Sequence, residues 1–326
     1  MIITRSPLRV SLGGGGTDLE SYYGTYGGSV LAMAINKYVY VATNKKFTAG
    51  FTLKYSSIEE ANEIGSIKHP ILRESLKRVC PSMDYLEITT IADIPAGTGL
   101  GSSGSFTTAL LKNLYELKGE ISTQETIARS ACEIEIDILN EPIGKQDQYI
   151  AAYGGLTLFH FKQDNSVSTQ LITLPATTID LIDNNLLLFF TGYNRSASKI
   201  LSHQNLQSKA GDPSMLANLH QVKEMGERAT EIFKNGNIEE YGHLMNEHWE
   251  LKKKRSPGMS SPLIDQWYSA ALDNGAVGGK IVGAGGGGFF LFYAHNPDSL
   301  RICMKGFGLD EVPFSIDRTG TCILNA

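Results

Sequence analysis

Pro95-Ala96-Gly97-Thr98-Gly99-Leu100-Gly101-Ser102-Ser103-Gly104-Ser105 packs four glycines and three serines into one short stretch. It lies between a β-like run, Tyr85 to Ile91, and a helical run whose apolar residues Phe106, Leu110, Leu114 and Leu117 share one face. A glycine loop opening onto a helix leaves backbone N–H groups unpaired and aims the positive end of the helix dipole at one spot, which suits an anion such as phosphate. A flexible turn followed by a serine N-cap is the competing reading. The loop lacks the lysine of GxxxxGK[ST]. Gly99, Gly101 and Gly104 satisfy GxGxxG, but Asp93, Ile94 and Pro95 separate them from the strand that a dinucleotide fold would place directly before them. The segment therefore reads as a phosphate loop of another kind, with Gly97, Gly99, Leu100, Gly101, Ser102, Ser103, Gly104 and Ser105 as its nucleotide-binding residues.

On the N-terminal side, Ile2 to Leu12 alternates as a strand and runs into Gly13 to Gly16, Thr17 and Asp18. Consecutive glycines let main chain approach a ligand closely. Asp18 either caps a helical segment from Leu19 to Tyr23 or accepts hydrogen bonds from substrate hydroxyls, with Gly15, Gly16 and Thr17 beside it. Ser29 to Thr43 and Phe51 to Tyr55 read as strands, and Ile71 to Val79 as a helix stopped by Pro81.

On the C-terminal side, a helix is expected over about Thr123 to Leu139, with Ser122 as cap and Ile127, Ala131, Ile134 and Ile138 as its core stripe. Glu135 falls at the edge of that buried face. A carboxylate there needs a cation or a donor, so Glu135 is a metal or ion-pair candidate. Asp147 lies in the polar cluster Lys145 to Gln148, as a cap or a base. Gly155 to Phe161 and Gln170 to Leu174 read as strands, and the polar Asp180 to Asn185 as the domain boundary. Beyond it come a strand at Leu186 to Thr191, helices at about Ala197 to Lys209, Pro213 to Asn235, Ile238 to Lys253 and Pro262 to Asn274, and strands at Gly278 to Val282 and Phe289 to Tyr293 around a second glycine-dense turn. A helix over Pro297 to Phe307 and a last strand near Val312 to Ile316 close the chain. The pattern is α+β, with units 1–183 and 184–326.

The chain has 326 residues, 19% charged, and a formal net charge of -5, a balance that recommends neither nucleic acid nor membrane as a partner. Lys252 to Arg255 form its basic run, either a solvated face or a local site for a substrate anion. Cys80, Cys132, Cys303 and Cys322 have no paired spacing, which argues against zinc and a disulfide framework. With no leader segment evident, a cytoplasmic protein is expected.

Ser6 to Leu12 with Gly13 to Asp18, then Pro95 to Ser105, then Lys280-Ile281-Val282 with Gly283 to Gly288, in that order, resemble the three motifs of the GHMP kinase superfamily. The resemblance implies a two-domain α+β fold, ribosomal S5 domain 2-like at the N-terminus and ferredoxin-like at the C-terminus, with ATP as phosphate donor and Mg2+. It implies Ser103 and Glu135 as the Mg2+ ligands, Asp147 as catalytic base, Arg9 near the transferred phosphoryl group, Asp18 on sugar hydroxyls, and Gly285 and Gly286 near the substrate. Gly104 stands where most members carry alanine, which implies a looser helix start.

Gly14 to Asp18, Gly27 to Leu31, Ile35 to Tyr38, Glu133 to Asp137, Pro142 to Gln148 and Ser256 to Met259 with Pro262 to Asp265 resemble the bacterial heptose 7-phosphate kinases. That group phosphorylates the anomeric hydroxyl of D-glycero-D-manno-heptose 7-phosphate on the route to GDP-heptose for surface glycans. The resemblance thus implies a sugar phosphate as the small-molecule substrate and leaves a homodimer open. Lys252 to Arg255 or Lys145 would then meet the acceptor's own phosphate. A C1 kinase for fucose, arabinose or galactose would keep every catalytic residue, and a nucleotide-binding regulator without turnover is the alternative of another class.

Overall fold

A computed structural model describes residues 1–193 and 197–326. In chain order it begins with β1 (Ile2–Gly13), α1 (Glu20–Tyr26), β2 (Gly28–Asn44), β3 (Gly50–Lys54), β4 (Ile58–Ala61), α2 (Pro70–Val79), β5 (Tyr85–Ala92), α3 (Ser102–Lys118), α4 (Gln124–Cys132) and a π-helical turn, Glu133–Ile138. It continues through α5 (Gln146–Tyr153), β6 (Leu156–Phe161), β7 (Val167–Leu171), α6 (Ala176–Asn185), β8 (Leu186–Phe190), α7 (Ala197–Lys209), α8 (Pro213–Asn235) and α9 (Ile238–Lys253). Last come α10 (Pro262–Asp273), β9 (Ala276–Ile281), β10 (Phe289–Ala294), α11 (Pro297–Gly306) and β11 (Cys322–Asn325).

Among the described residues the first sheet has eight strands, in the order β11-β1-β2-β5-β3-β4, with β6 and β7 branching from β2. The branch follows from length. The second half of β2 pairs with β5 from Val39 to Asn44, while its first half pairs with β6 from Gly28 to Met33. Register shifts in the β1–β2 ladder fall at Pro7/Leu8 and Ser11/Gly13, where proline cannot donate and glycine packs nothing. These bends deliver Arg9 and the glycine loop to one end of the sheet.

The second sheet, β8-β10-β9, is antiparallel. Both faces are covered, which is why Leu186 to Phe190 and Phe289 to Ala294 are unbroken apolar runs. Leu186 and Leu188 join the large core under α3, α8 and the first sheet, and Leu187 and Phe189 join a second core with Trp249, Trp267 and Phe292. The two faces alternate along β8 with the strand's two-residue period. A bridge from Glu311 to Phe189 touches the edge of this sheet. No helix among the described residues is long and apolar enough to cross a membrane.

Several expectations are corrected. The polar stretch Asp180 to Asn185, where the domain boundary is expected, is helical as the end of α6, with Thr178 and Ile182, four apart, buried on one face. The strand expected at Gln170 to Leu174 runs over Val167–Leu171, and the strand expected near Val312 to Ile316 is reduced to a single isolated bridge, Ile316 with Ile35. The last strand is β11, which returns to pair with β1 in the first sheet. Ser122 is not a cap; Thr123 caps α4, accepting from the Thr126 N–H. Leu19 is the N-cap of α1 and no side chain caps it, so Asp18 is free of that duty.

Candidate active site

The glycine loop ends at Gly101, which adopts φ 78° as the N-cap of α3 without any side-chain cap. A serine cap is thereby excluded, and the first N–H groups of α3 are left for a ligand. Gly97 and Gly99 are also left-handed, at φ 80° and 86°. The loop lies backbone against backbone on the third glycine segment: a Cβ on Gly283 would stand 2.5 Å from the Gly99 carbonyl oxygen, and one on Gly288 2.2 Å from that of Thr98. Only glycine allows that approach.

The loop forms one wall of a cavity of about 340 Å³. Arg9 and Asp147 face each other there in a two-point pair, Nε to Oδ1 and Nη2 to Oδ2, both 2.8 Å. Arg9 Nη1 also donates to the Gly99 carbonyl at 2.5 Å, tying the pair to the loop. Gln146 Nε2 donates to Asp147 Oδ1 at 3.0 Å, so Oδ1 holds two donors and Oδ2 one. Oδ2 keeps a lone pair for a substrate hydroxyl. A Cβ on Gly101 would lie 3.3 Å from Asp147 Cγ, which puts the carboxylate against the mouth of the loop.

Glu135 is buried on the neighbouring wall. Ser103 Oγ donates to its Oε2 and Gln148 Nε2 to its Oε1 at 3.0 Å. Burial pushes its pKa up, against the Ser103 and Gln148 hydrogen bonds that hold it down. The π turn explains its position. The Leu139 N–H reaches back to the Ile134 carbonyl, five residues away, and the wider turn rotates the helix face. Glu135 moves fully inside, while Ile138, expected in the core stripe, is exposed. One carboxylate and one hydroxyl fit Mg2+, which keeps several waters and shares its shell with substrate phosphates. The buried Gln148 Oε1, without a hydrogen-bond partner among the described residues, is a further acceptor for such a hydrated ion.

Asp18 accepts from the Gly16 N–H and the Gln146 N–H, both at 3.0 Å, and its pKa is raised by burial, against the Gln146 N–H. Gly15 and Gly16 line the cavity beside it. Other predicted residues sit behind the wall. Thr17 donates to the Gly14 and Ser29 carbonyls, Ser105 to Pro7, and the Leu100 carbonyl accepts from the Arg9 N–H. Gly285 and Gly286 pack on Met259 and do not line the cavity. Lys145 turns to Tyr23 and Asn165 outside it.

Gly104 is where the expectation of a looser helix start fails. A Cβ there would meet the Asp147 carbonyl carbon at 2.9 Å and Asp147 Cβ at 3.0 Å, so glycine brings α3 and α5 into close contact. Gly104→Ala is expected to displace Asp147 by a few tenths of an ångström and lower kcat about tenfold with little change in KM for ATP. Steady-state kinetics with Mg-ATP varied checks it.

His248, Lys280, Gln204 and Gln146 also line the cavity, with no role that the sequence alone assigns to them. His248 and Lys252 are i,i+4 neighbours on α9, and Lys280 faces them from β9. Burial lowers the Lys280 pKa to about 7, helped by the charge of Arg255, and burial drives Lys252 and His248 well below their ordinary values. An unfolded lysine titrates near 10.4, so between about pH 7 and 10 the unfolded chain binds more protons at this position than the folded one. Stability from this group therefore rises with pH across that window. Thermal melts at successive pH values are expected to show the slope, and Lys280→Met to flatten it.

What this cavity offers is an anion loop, a carboxylate with a free lone pair against the loop mouth, and beside both an exposed hydroxyl, Ser103, on a buried carboxylate, Glu135. Transfer of a phosphoryl group to an alcohol calls for those parts, and the protein is of that class, a phosphotransferase with an alcohol group as acceptor. The family model described as GHMP kinases N terminal domain matches residues 68–155 and that described as GHMP kinases C terminal matches residues 229–302. The chain belongs to the GHMP kinases, on the sugar kinase side of the family. It is 29% identical over 303 residues to a D-glycero-α-D-manno-heptose 7-phosphate kinase of Campylobacter jejuni, covering 90% of this chain and 89% of that one. It is 25% identical to a galactokinase of Pyrococcus furiosus, over 88% of this chain and 87% of that one. Its fold resembles the crystal structure of a D-glycero-D-manno-heptose 1-phosphate kinase from Bacteroides thetaiotaomicron, with a TM-score of 0.82 and 23% identity, covering 100% and 99% of the two chains.

Proposed function

We propose that the protein transfers the γ-phosphoryl group of ATP to the anomeric hydroxyl of D-glycero-D-manno-heptose 7-phosphate, as a step toward an activated heptose for surface glycans. The observation that carries this reading is Asp147 Oδ2, open on one side and packed against the loop that would hold the ATP phosphates. Asp147 accepts the proton of the C1 hydroxyl as its oxygen bonds to the γ-phosphorus and the bond to the bridging oxygen breaks, releasing ADP. Arg9 orients Asp147 and offers positive charge near the transferring group. Ser103 and Glu135 would hold Mg2+, which supplies charge neutralisation on the phosphates when bound. Asp18 accepts from the sugar hydroxyls, with its carboxylate fixed by two backbone N–H groups.

The Campylobacter relative is named for a heptose 7-phosphate, and the basic lobe of the cavity suits an acceptor that is already phosphorylated. The test is incubation of the purified protein with Mg-ATP and heptose 7-phosphate, followed by NMR of the product. A new phosphate at C1 is the expected result. Turnover of fucose, arabinose or galactose in preference to the heptose phosphate would replace this acceptor, and no turnover with any sugar would favour a nucleotide-binding regulator.

A further inference from the structure

Besides Arg9, three basic side chains line the cavity: Lys252, Arg255 and Lys280. All three are buried, and their hydrogen-bond partners among the described residues carry no negative charge. Lys252 Nζ donates to the Ile281 and Gly283 carbonyls at 2.8 and 2.5 Å. Lys280 Nζ donates to the Leu12 carbonyl at 2.6 Å and lies 3.1 Å from His248 Nδ1. Arg255 donates to Asn218 Oδ1 at 2.8 Å and to the Gly15 carbonyl at 3.0 Å, and its Nη2 has no partner among the described residues.

A buried charge whose hydrogen-bond partners are all neutral is costly, and Lys252 and Lys280 are further repelled by Arg255, which alone of the three has an opposing charge nearby, Asp18. A chain keeps such a cluster on a cavity wall when an anion completes it. The neutral alternative is that these side chains only satisfy the carbonyls of the glycine segments. That need would be met by a hydroxyl or amide and does not call for three cations together. Their placement narrows the anion further. Asp18 lies near enough to Arg255 for their charges to act on each other, and also near Asp147. Asp18 thus stands between Asp147 and Arg255, while Lys252, on the Gly283 carbonyl, is also within reach of the Arg9 charge.

We infer that Lys252, Arg255 and Lys280 form the subsite for the phosphate already carried by the acceptor, with Asp18 between Arg255 and the carboxylate that would deprotonate the C1 hydroxyl. This rests on the proposed function for the orientation of the sugar, but the anion site itself does not depend on which sugar is bound. A phosphate is favoured over a carboxylate because lysine ammonium groups and an arginine fork converge from separate elements, α9, the turn after it and β9, and match several oxygens. The cluster makes selectivity for phosphorylated acceptors a property of the second sheet's helix and strand, while the chemistry stays with the first.

Two measurements test this. With the nucleotide site saturated by a non-hydrolysable ATP analogue and Mg2+, inorganic phosphate is titrated into the wild type, Lys252→Met, Arg255→Gln and Arg255→Lys. Saturable binding that weakens about 10- to 100-fold in the first two variants and is partly restored in Arg255→Lys is the expected result. Equal binding in all four, or none in the wild type, overturns the inference. In turnover assays, the ratio of kcat/KM for heptose 7-phosphate to that for the parent heptose is expected to collapse in Lys252→Met and Arg255→Gln. A role confined to bracing the glycine segments would lower both values together and leave the ratio unchanged, which also overturns it. If neither sugar is turned over while the variants still lose phosphate, the acceptor assignment fails and the anion site stands.

Discussion

Asp147→Asn is expected to lower kcat by about 10²- to 10⁴-fold, the usual contribution of a positioned general base. The side chain keeps its shape and still offers Arg9 a carbonyl oxygen, and Arg9 retains the Gly99 carbonyl. Binding of a non-hydrolysable ATP analogue should therefore change little, so kcat and kcat/KM fall together, the mark of an interaction made only in the transition state. The pair is largely buried, with side-chain exposures of 6% for Arg9 and 28% for Asp147. Loss of the charge also leaves Arg9 less well compensated, and a lower Tm is expected beside the kinetic loss. Steady-state kinetics and a thermal melt on one preparation separate the two effects. Wild-type kcat in the variant would remove Asp147 from the reaction.

The parts of this site legible in the sequence are those where the backbone itself makes a demand. Gly97, Gly99 and Gly101 are left-handed, and Gly283 and Gly288 lie within contact of another main chain, so the demand appears as glycine. Burial at the edge of a helix face singled out Glu135. The π turn that drives it inside left no mark in composition, and Ile138 was misplaced for the same reason. The basic run shows the limit of charge patterning. Lys252 and Arg255, three apart, face the cavity, while Lys253 pairs with Glu250 and Lys254 is exposed. A run of four cations has one appearance whichever way its members point. Lys280 and His248 meet only when α9 packs on β9, a contact between residues 32 positions apart that no local period encodes. The same holds for β11, whose pairing with β1 joins the two ends of the chain.

Glu135→Gln should separate stability from activity in opposite directions. In the absence of a cation the Glu135 carboxylate is buried among neutral donors, and burial raises its pKa above that of the unfolded chain. The unfolded chain therefore gives up this proton first as pH rises. The folded state loses stability from this group between the two pKa values, and the full cost is present above both. Glutamine removes the charge. Its carbonyl can accept from Gln148 Nε2 and its amide can donate to Ser103 Oγ, so both contacts survive in a neutral form. A higher Tm than the wild type near neutral pH, with a flatter dependence on pH, is the expected outcome. The kinetic outcome is a fall in kcat of about 10²- to 10³-fold, the scale seen when one electrostatic partner of a transition state is removed. It should be accompanied by a rise in the Mg2+ concentration needed for half-maximal rate, because a neutral amide oxygen is a weaker partner for a hard divalent ion than a carboxylate. Full activity at low Mg2+ would show that Glu135 does not hold the ion, and a lower Tm would show that the carboxylate is compensated by a group other than Ser103 and Gln148. A gain in stability together with a loss of rate requires that the buried charge be kept for the reaction and against the fold.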